Sequence, residues 1–165
     1  MALQKLKTFP THVDLSEKTR AQMVDLLNQQ LADVSDLYTQ TKQAHWNVKG
    51  MDFIQLHEFF DELAEKVLPY VDSIAERATA IGGVAMGTAR MAAANSTLPE
   101  FPLGPYDGKS IVKTLVNIYG QFANSTREAI DTADKAGDRD TADLFTTISG
   151  EMDKHLWFLE AHIQV

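Results

Sequence analysis

Two short spacings carry the chemistry open to this sequence. His57 and Asp61 stand four residues apart, Asp72 and Glu76 repeat the interval, and His45 precedes both pairs across a turn. Residues four apart share a helix face, so His57, Asp61, Glu65, Asp72 and Glu76 form one polar stripe. A stripe of this kind, seen alone, is ordinarily a solvated surface. Here Phe53, Phe60, Leu63, Val67, Val71 and Ile74 spread apolar residues over much of the remaining circumference. That pattern predicts a helix buried on more than one side.

Imidazole together with carboxylate suits iron, zinc or manganese. Calcium prefers oxygen donors in a twelve-residue loop, and no such loop is present. The sequence holds no phosphate-binding glycine loop, nucleophile elbow or HExxH zinc motif. It has no cysteine, which excludes disulfides, zinc-thiolate sites and cysteine nucleophiles. A divalent transition metal remains, with iron favoured and zinc as a competing occupant.

One ion cannot touch both pairs. Asp61 and Asp72 are eleven residues apart, which is about three turns and roughly 16 Å of helix. A second copy of the helix, running antiparallel, would bring His57 and Asp61 of one chain opposite Asp72 and Glu76 of the other. That arrangement is a two-fold interface in which one patch meets itself, and it predicts two identical sites shared between subunits.

The elements that must hold these residues follow from the apolar spacing. Asp14 with Glu17 reads as a capping box, opening a helix to about Trp46 with Val24, Leu27, Leu31, Val34 and Tyr38 inward. Seven residues beyond Tyr38 the same register places His45 inward. Asn47 to Gly50 supplies the stop, with Gly50 suited to a left-handed cap. A second helix is expected from about Phe53 to Ile81, continuous through Pro69 because the register resumes at Val71 and Ile74.

Residues 82 to 106 are rich in glycine and proline and hold one short helix over Thr88 to Asn95. A linker this long is uncommon between antiparallel neighbours and is long enough to cross a bundle. Two further helices are predicted, from Gly108 to Ala136 and from Asp140 to Ile163. Helices joined short, long, short give an all-α, ferritin-like four-helix bundle, one domain over residues 14 to 165 behind a short tail of residues 1 to 13.

The usual di-iron signature of that fold, Glu plus Glu-x-x-His, is missing, since Glu151 precedes His155 by four. Core or interface packing is expected for His155 and His162, and a surface position for His12. Asp138, Asp140 and Asp143 gather where carboxylates cap a helix and complement its dipole. Their functional alternative is a cation-entry pore built by several subunits.

The chain has 165 residues, 44% hydrophobic and 23% charged, with a formal charge of −8. This suits a globular protein, disfavours broad attraction to nucleic acid phosphates and favours drawing in cations. No apolar run approaches the ~18 residues of a membrane span, and no basic region followed by an apolar core marks a secretory signal. A cytoplasmic protein without membrane contact is expected. Lys5 and Lys7 in the tail are a weak signal for gripping DNA.

The segment HWNVKGMDFIQLHEFFDEL, followed by DSIAERATAIGG, TADLF and DKHLWFLEAHI, resembles the signature of the DNA-protection-during-starvation (Dps) miniferritins over nearly the whole chain. The resemblance implies ferroxidase ligands at His45, His57 and Asp61 of one subunit, with Asp72 and Glu76 of its two-fold partner. It implies a hollow dodecamer that binds Fe²⁺, oxidises it preferentially with hydrogen peroxide and stores ferric mineral. Trp46 would pack near the site, and Asp138 and Asp143 resemble residues lining the family's three-fold iron pores. Some members coat DNA at the nucleoid through lysine-rich tails. This chain departs from that pattern, with two tail lysines and no basic extension before Val165, so only weak DNA binding is expected. The competing reading is a structural nucleoid protein that protects DNA by direct binding, with metal only stabilising the dimer.

Overall fold

A computed structural model describes residues 7–164. Among them five helices run in the order α1 (Glu17–Asn47), α2 (Phe53–Ala80), α3 (Ala89–Asn95), α4 (Gly108–Ala136) and α5 (Arg139–Ala161). The four long helices form the expected bundle. α1 packs along α2, α4 packs along α5, and α1 and α4 join the two hairpins. The middle holds Leu27, Leu37, Phe60, Val67, Phe122 and Phe145, all fully buried. Each large apolar side chain so buried contributes about 1.5–3 kcal/mol. Tyr38, Val71, Leu156 and Ile163 are half-buried at its edge.

The start of α1 differs from the expectation. Ser16, not Asp14, is the cap, its Oγ accepting from Thr19 N at 3.1 Å. A hydroxyl directly before the first helical residue reaches the third amide with no extra backbone turn. At the other end the helix closes on Val48, whose N–H bonds Ala44 O at 3.0 Å. Gly50, at φ +117°, makes the turn into α2 rather than capping α1. α2 runs unbroken through Pro69.

The chain before α1 is tied to the far end of α2. Phe9 N donates to Gly82 O at 2.8 Å, and Arg20 Nη1 donates to Phe9 O and Ile81 O. Gly82 sits at φ +86°, and a Cβ there would fall 2.4 Å from Phe9 O. Lys7 Nζ lies 4.9 Å from the Phe9 ring centre. Lys5 lies outside the described residues, as does Val165.

The crossover carries α3 and is fastened to α1. Thr97 N donates to Asp33 Oδ1 at 2.6 Å, Ser96 Oγ to Asp36 Oδ2 at 2.6 Å, and Gln40 Nε2 to Pro99 O at 3.0 Å. α4 then starts beside the beginning of α2, where a Cβ on Gly108 would lie 2.5 Å from Leu56 Cδ1. The crossover therefore traverses the bundle, and α4 runs parallel to α2. No described helix is long and apolar enough to cross a membrane.

One expectation fails within a single chain. α2 is buried on one side only, through Leu56, Phe60, Leu63, Ala64, Val67, Ile74 and Ala78. Phe53, Ile54 and Leu68 remain exposed, because no other helix of the same chain covers the face opposite the core.

Candidate metal centre

The hairpin between α1 and α2 brings two imidazoles together. His45 is in the last turn of α1 and His57 in the first turns of α2, and their rings stack with centroids 3.8 Å apart and planes 21° apart. Each ring is tied to the other residue's backbone: His45 Nδ1 donates to His57 O at 2.7 Å, and His57 Nδ1 donates to His45 O at 2.8 Å. A carbonyl oxygen only accepts, so both Nδ1 atoms carry the proton. With Nδ1 committed to a carbonyl, Nε2 is the nitrogen of each ring left to face a metal, an arrangement usual for ligating histidines. Phe53 packs 5.1 Å from His57.

Asp61 follows His57 by one turn on the same stripe. Its Oδ1 accepts a hydrogen bond from Lys42 Nζ, an ion pair with the carboxylate side chain 41% exposed. This hydrogen bond holds the Asp61 carboxyl below its ordinary range; desolvation opposes the effect, and the fields of His45, Lys42 and His57 add to it. The carboxylate is thus ionised at neutral pH, with an ammonium beside it. Lys42 also stands 6.0 Å from the ring centre of Trp46, which is exposed. Spacing alone could have marked Lys42, three residues before His45 and so on its side of α1.

The other half of the set lies elsewhere. Asp72 and Glu76 are exposed on the open face of α2, as is Glu65 between the two pairs. No three His, Asp or Glu side chains among the described residues converge tightly enough to hold a metal. A single chain therefore offers two poised nitrogens and a charged carboxylate, with two more carboxylates too far along the helix to join them.

The acids at the start of α5 divide. Asp138 is 2% exposed. Its Oδ1 accepts from Arg77 Nη2 at 2.6 Å and Thr141 N at 3.1 Å, and its Oδ2 accepts from Thr141 Oγ1 at 2.6 Å. Arg77 Nε also donates to Thr141 Oγ1 at 2.9 Å. Asp143 is exposed, and Asp140 lies 3.8 Å from Arg77 Nη1. The Arg77 link from α2 had no signal in the spacing of the acids.

The remaining histidines are scattered. His155 is buried, its Nε2 3.6 Å from Glu151 Oε2 and its Nδ1 without a partner. His162 is exposed in the single chain, donates from Nδ1 to Phe158 O at 2.7 Å and stacks on Phe59. His12 is exposed.

Comparison with known proteins gives one consistent result. A model of the ferritin-like domain matches residues 24–165. The DNA protection during starvation protein of Agrobacterium fabrum is 42% identical, over 96% of this chain and 98% of that protein. Among solved structures, DpsC from Streptomyces coelicolor superposes with a TM-score of 0.89 at 30% identity, covering 100% of this chain and 97% of the other. DpsA14 from the same organism gives 0.91 at 29% identity, covering 97% and 95%.

Proposed function

The chain belongs to the Dps family of ferritin-like proteins, and from that premise we propose that it is a ferroxidase that stores iron and limits oxidative damage. Its substrate is Fe²⁺, bound between two antiparallel copies of α2, with hydrogen peroxide as the preferred oxidant. One copy supplies His45, His57 and Asp61, and the other supplies Asp72 and Glu76. The carrying observation is the reciprocal bonding of His45 and His57, which spends both Nδ1 protons on carbonyls beside an ionised Asp61.

The donor set fits the ion. Two imidazole nitrogens and three carboxylates suit iron, admit zinc as a competitor, and leave positions open to an oxidant. Leu68, exposed midway between the two ligand pairs, supplies the apolar contact that a two-fold interface needs at its centre. Two ferrous ions give up one electron each, and one peroxide takes both with two protons to become two waters. Paired electron removal avoids the one-electron cleavage that releases hydroxyl radical.

The chain's own groups have definite tasks. The backbone carbonyls of His45 and His57 fix the rings, so little reorganisation accompanies ion binding. Lys42 holds Asp61 until a cation with better geometry displaces its ammonium. Closure of such dimers into a hollow dodecamer would create the storage cavity. Asp143, exposed at the start of α5, is the better-suited lining for an iron-entry pore, because the oxygens of Asp138 are engaged by Arg77 and Thr141.

The test is a pair of double variants, His57→Ala with Asp61→Ala, and Asp72→Ala with Glu76→Ala. Each is expected to slow peroxide-driven Fe²⁺ oxidation about 100-fold or more in stopped-flow after anaerobic loading, with assembly size unchanged by scattering. Unchanged oxidation in either variant would refute the ligand assignment.

A further inference from the structure

A helix leaves its last carbonyls without partners inside it, and such an end opens readily unless something holds it. At the end of α2 the holding is done by the segment of residues 7–13 together with Arg20 of α1. Phe9 N donates to Gly82 O at 2.8 Å. Arg20 Nη1 donates to Ile81 O at 3.3 Å and to Phe9 O at 3.4 Å, so one guanidinium fastens both the helix end and the segment laid across it. A cation at a helix C-terminus is also favoured by the macrodipole. The two glycines permit the approach. A Cβ on Gly82 would lie 2.4 Å from Phe9 O and 2.9 Å from Arg20 Nη1, and one on Gly83 would lie 2.4 Å from Val24 Cγ2. Ile81, Gly82 and Gly83 are all buried there.

This junction is bonded step by step to one of the proposed ligands. Gly82 N donates to Thr79 O at 2.9 Å, and Thr79 Oγ1 donates to Glu76 O at 2.9 Å. Glu76 and Asp72 stand five and nine residues before Ile81, roughly 8 and 14 Å along the helix. Both acids are exposed on the face of α2 that no other helix of the chain covers, so these turns are held from the inner side and from the end. The other half of the ligand set is held differently. His45 and His57 lie at the opposite end of α2 and fix each other through the hairpin.

With the shared centre proposed above as its premise, we propose that residues 7–13 form a strap that positions Asp72 and Glu76, and that Arg20 is the positioning residue that fastens it. Loosening the strap frays the last turns of α2 and spreads the two carboxylates over more orientations, so the ion meets a less organised half-site. His45, His57 and Asp61 of the same chain keep their geometry. The strap therefore acts on one half of the centre only.

The test reassembles, in equal amounts, two chains that each lack one half of the centre. The first carries His57→Ala with Asp61→Ala and supplies Asp72 and Glu76; the second carries Asp72→Ala with Glu76→Ala and supplies the histidines. Arg20→Met is placed in the first chain or in the second, and peroxide-driven Fe²⁺ oxidation by the assembled protein is followed against Fe²⁺ concentration. In the first chain it should raise the Fe²⁺ concentration for half-maximal rate about two- to fivefold, with the maximal rate little changed. Arg20→Lys should recover part of that loss. In the second chain Arg20→Met should leave both values as they are. Amide exchange over residues 77–83 should be faster in Arg20→Met, the sign that the strap is loosened, and Arg20→Gln takes its place if it fails to assemble. Equal effects from the two placements, no effect from either, or unchanged exchange would overturn the strap. A mixture without any change at Arg20 that assembles and stays inactive would remove the shared centre and the strap with it.

Discussion

Two sets of carboxylates in this chain look alike in sequence and differ in structure. On α2, Asp61, Asp72 and Glu76 share a face that no other helix of the chain covers. At the start of α5, Asp138 is sealed by Arg77 and Thr141, with every oxygen engaged. Both sets gather acids on or at the start of a helix, and both lie in an acidic chain. What separates them is the partner each meets. Asp138 meets a guanidinium and a helix N-terminus, and so becomes part of the frame. The α2 acids meet one displaceable ammonium and otherwise solvent, and so remain able to receive a cation.

The comparison is sharpest if Asp138 is removed. Asp138→Ala should lower stability by about 2–3 kcal/mol, through loss of the helix cap and of the buried carboxylate partner of Arg77, as read by urea unfolding. Asp143→Ala should stay within about 0.5 kcal/mol of the parent. A slowed iron uptake without loss of stability in Asp138→Ala would assign Asp138 to an entry pore instead.

A smaller effect is expected on the α2 side. If Fe²⁺ binds at Asp61 as proposed, Lys42→Met removes the ammonium it would displace and should tighten anaerobic Fe²⁺ binding about two- to fivefold in calorimetry. Weaker binding would mean that the lysine assists the site rather than competing with the ion.

The gentlest test concerns His155. Burial pushes its imidazole below the ordinary range; Glu151 opposes this, while Lys154 and Lys66 add to it. The unfolded chain therefore takes up a proton that the folded chain resists, so stability is fully present above about pH 6.5 and declines as pH falls below it. His155→Met should flatten the fall in unfolding temperature between about pH 7 and pH 5. An unchanged slope would shift the acid sensitivity to other groups.

Much of this was legible in the sequence. The apolar register gave the four long helices, and the run of glycine and proline after Ile81 gave the traversing crossover. The eleven-residue gap between Asp61 and Asp72 already kept the two pairs from meeting within one chain. Other features escaped because they depend on contacts across the fold. The His45 and His57 bonds need the hairpin's angle, and the Arg77 bond needs α2 and α5 to meet. The cap moved from Asp14 to Ser16 because both residue types fit, and only the backbone path selects between them. The apolar residues on the outer face of α2 suggested burial that one chain alone does not supply.

The most direct measurement mixes the two inactive double variants. Chains carrying His57→Ala with Asp61→Ala are unfolded and reassembled with an equal amount carrying Asp72→Ala with Glu76→Ala, and peroxide-driven Fe²⁺ oxidation is recorded. In each mixed dimer one site is built entirely from unaltered halves, so random pairing should restore about a quarter of the parent rate. A mixture that assembles fully and stays as inactive as its components would contradict a centre shared between chains.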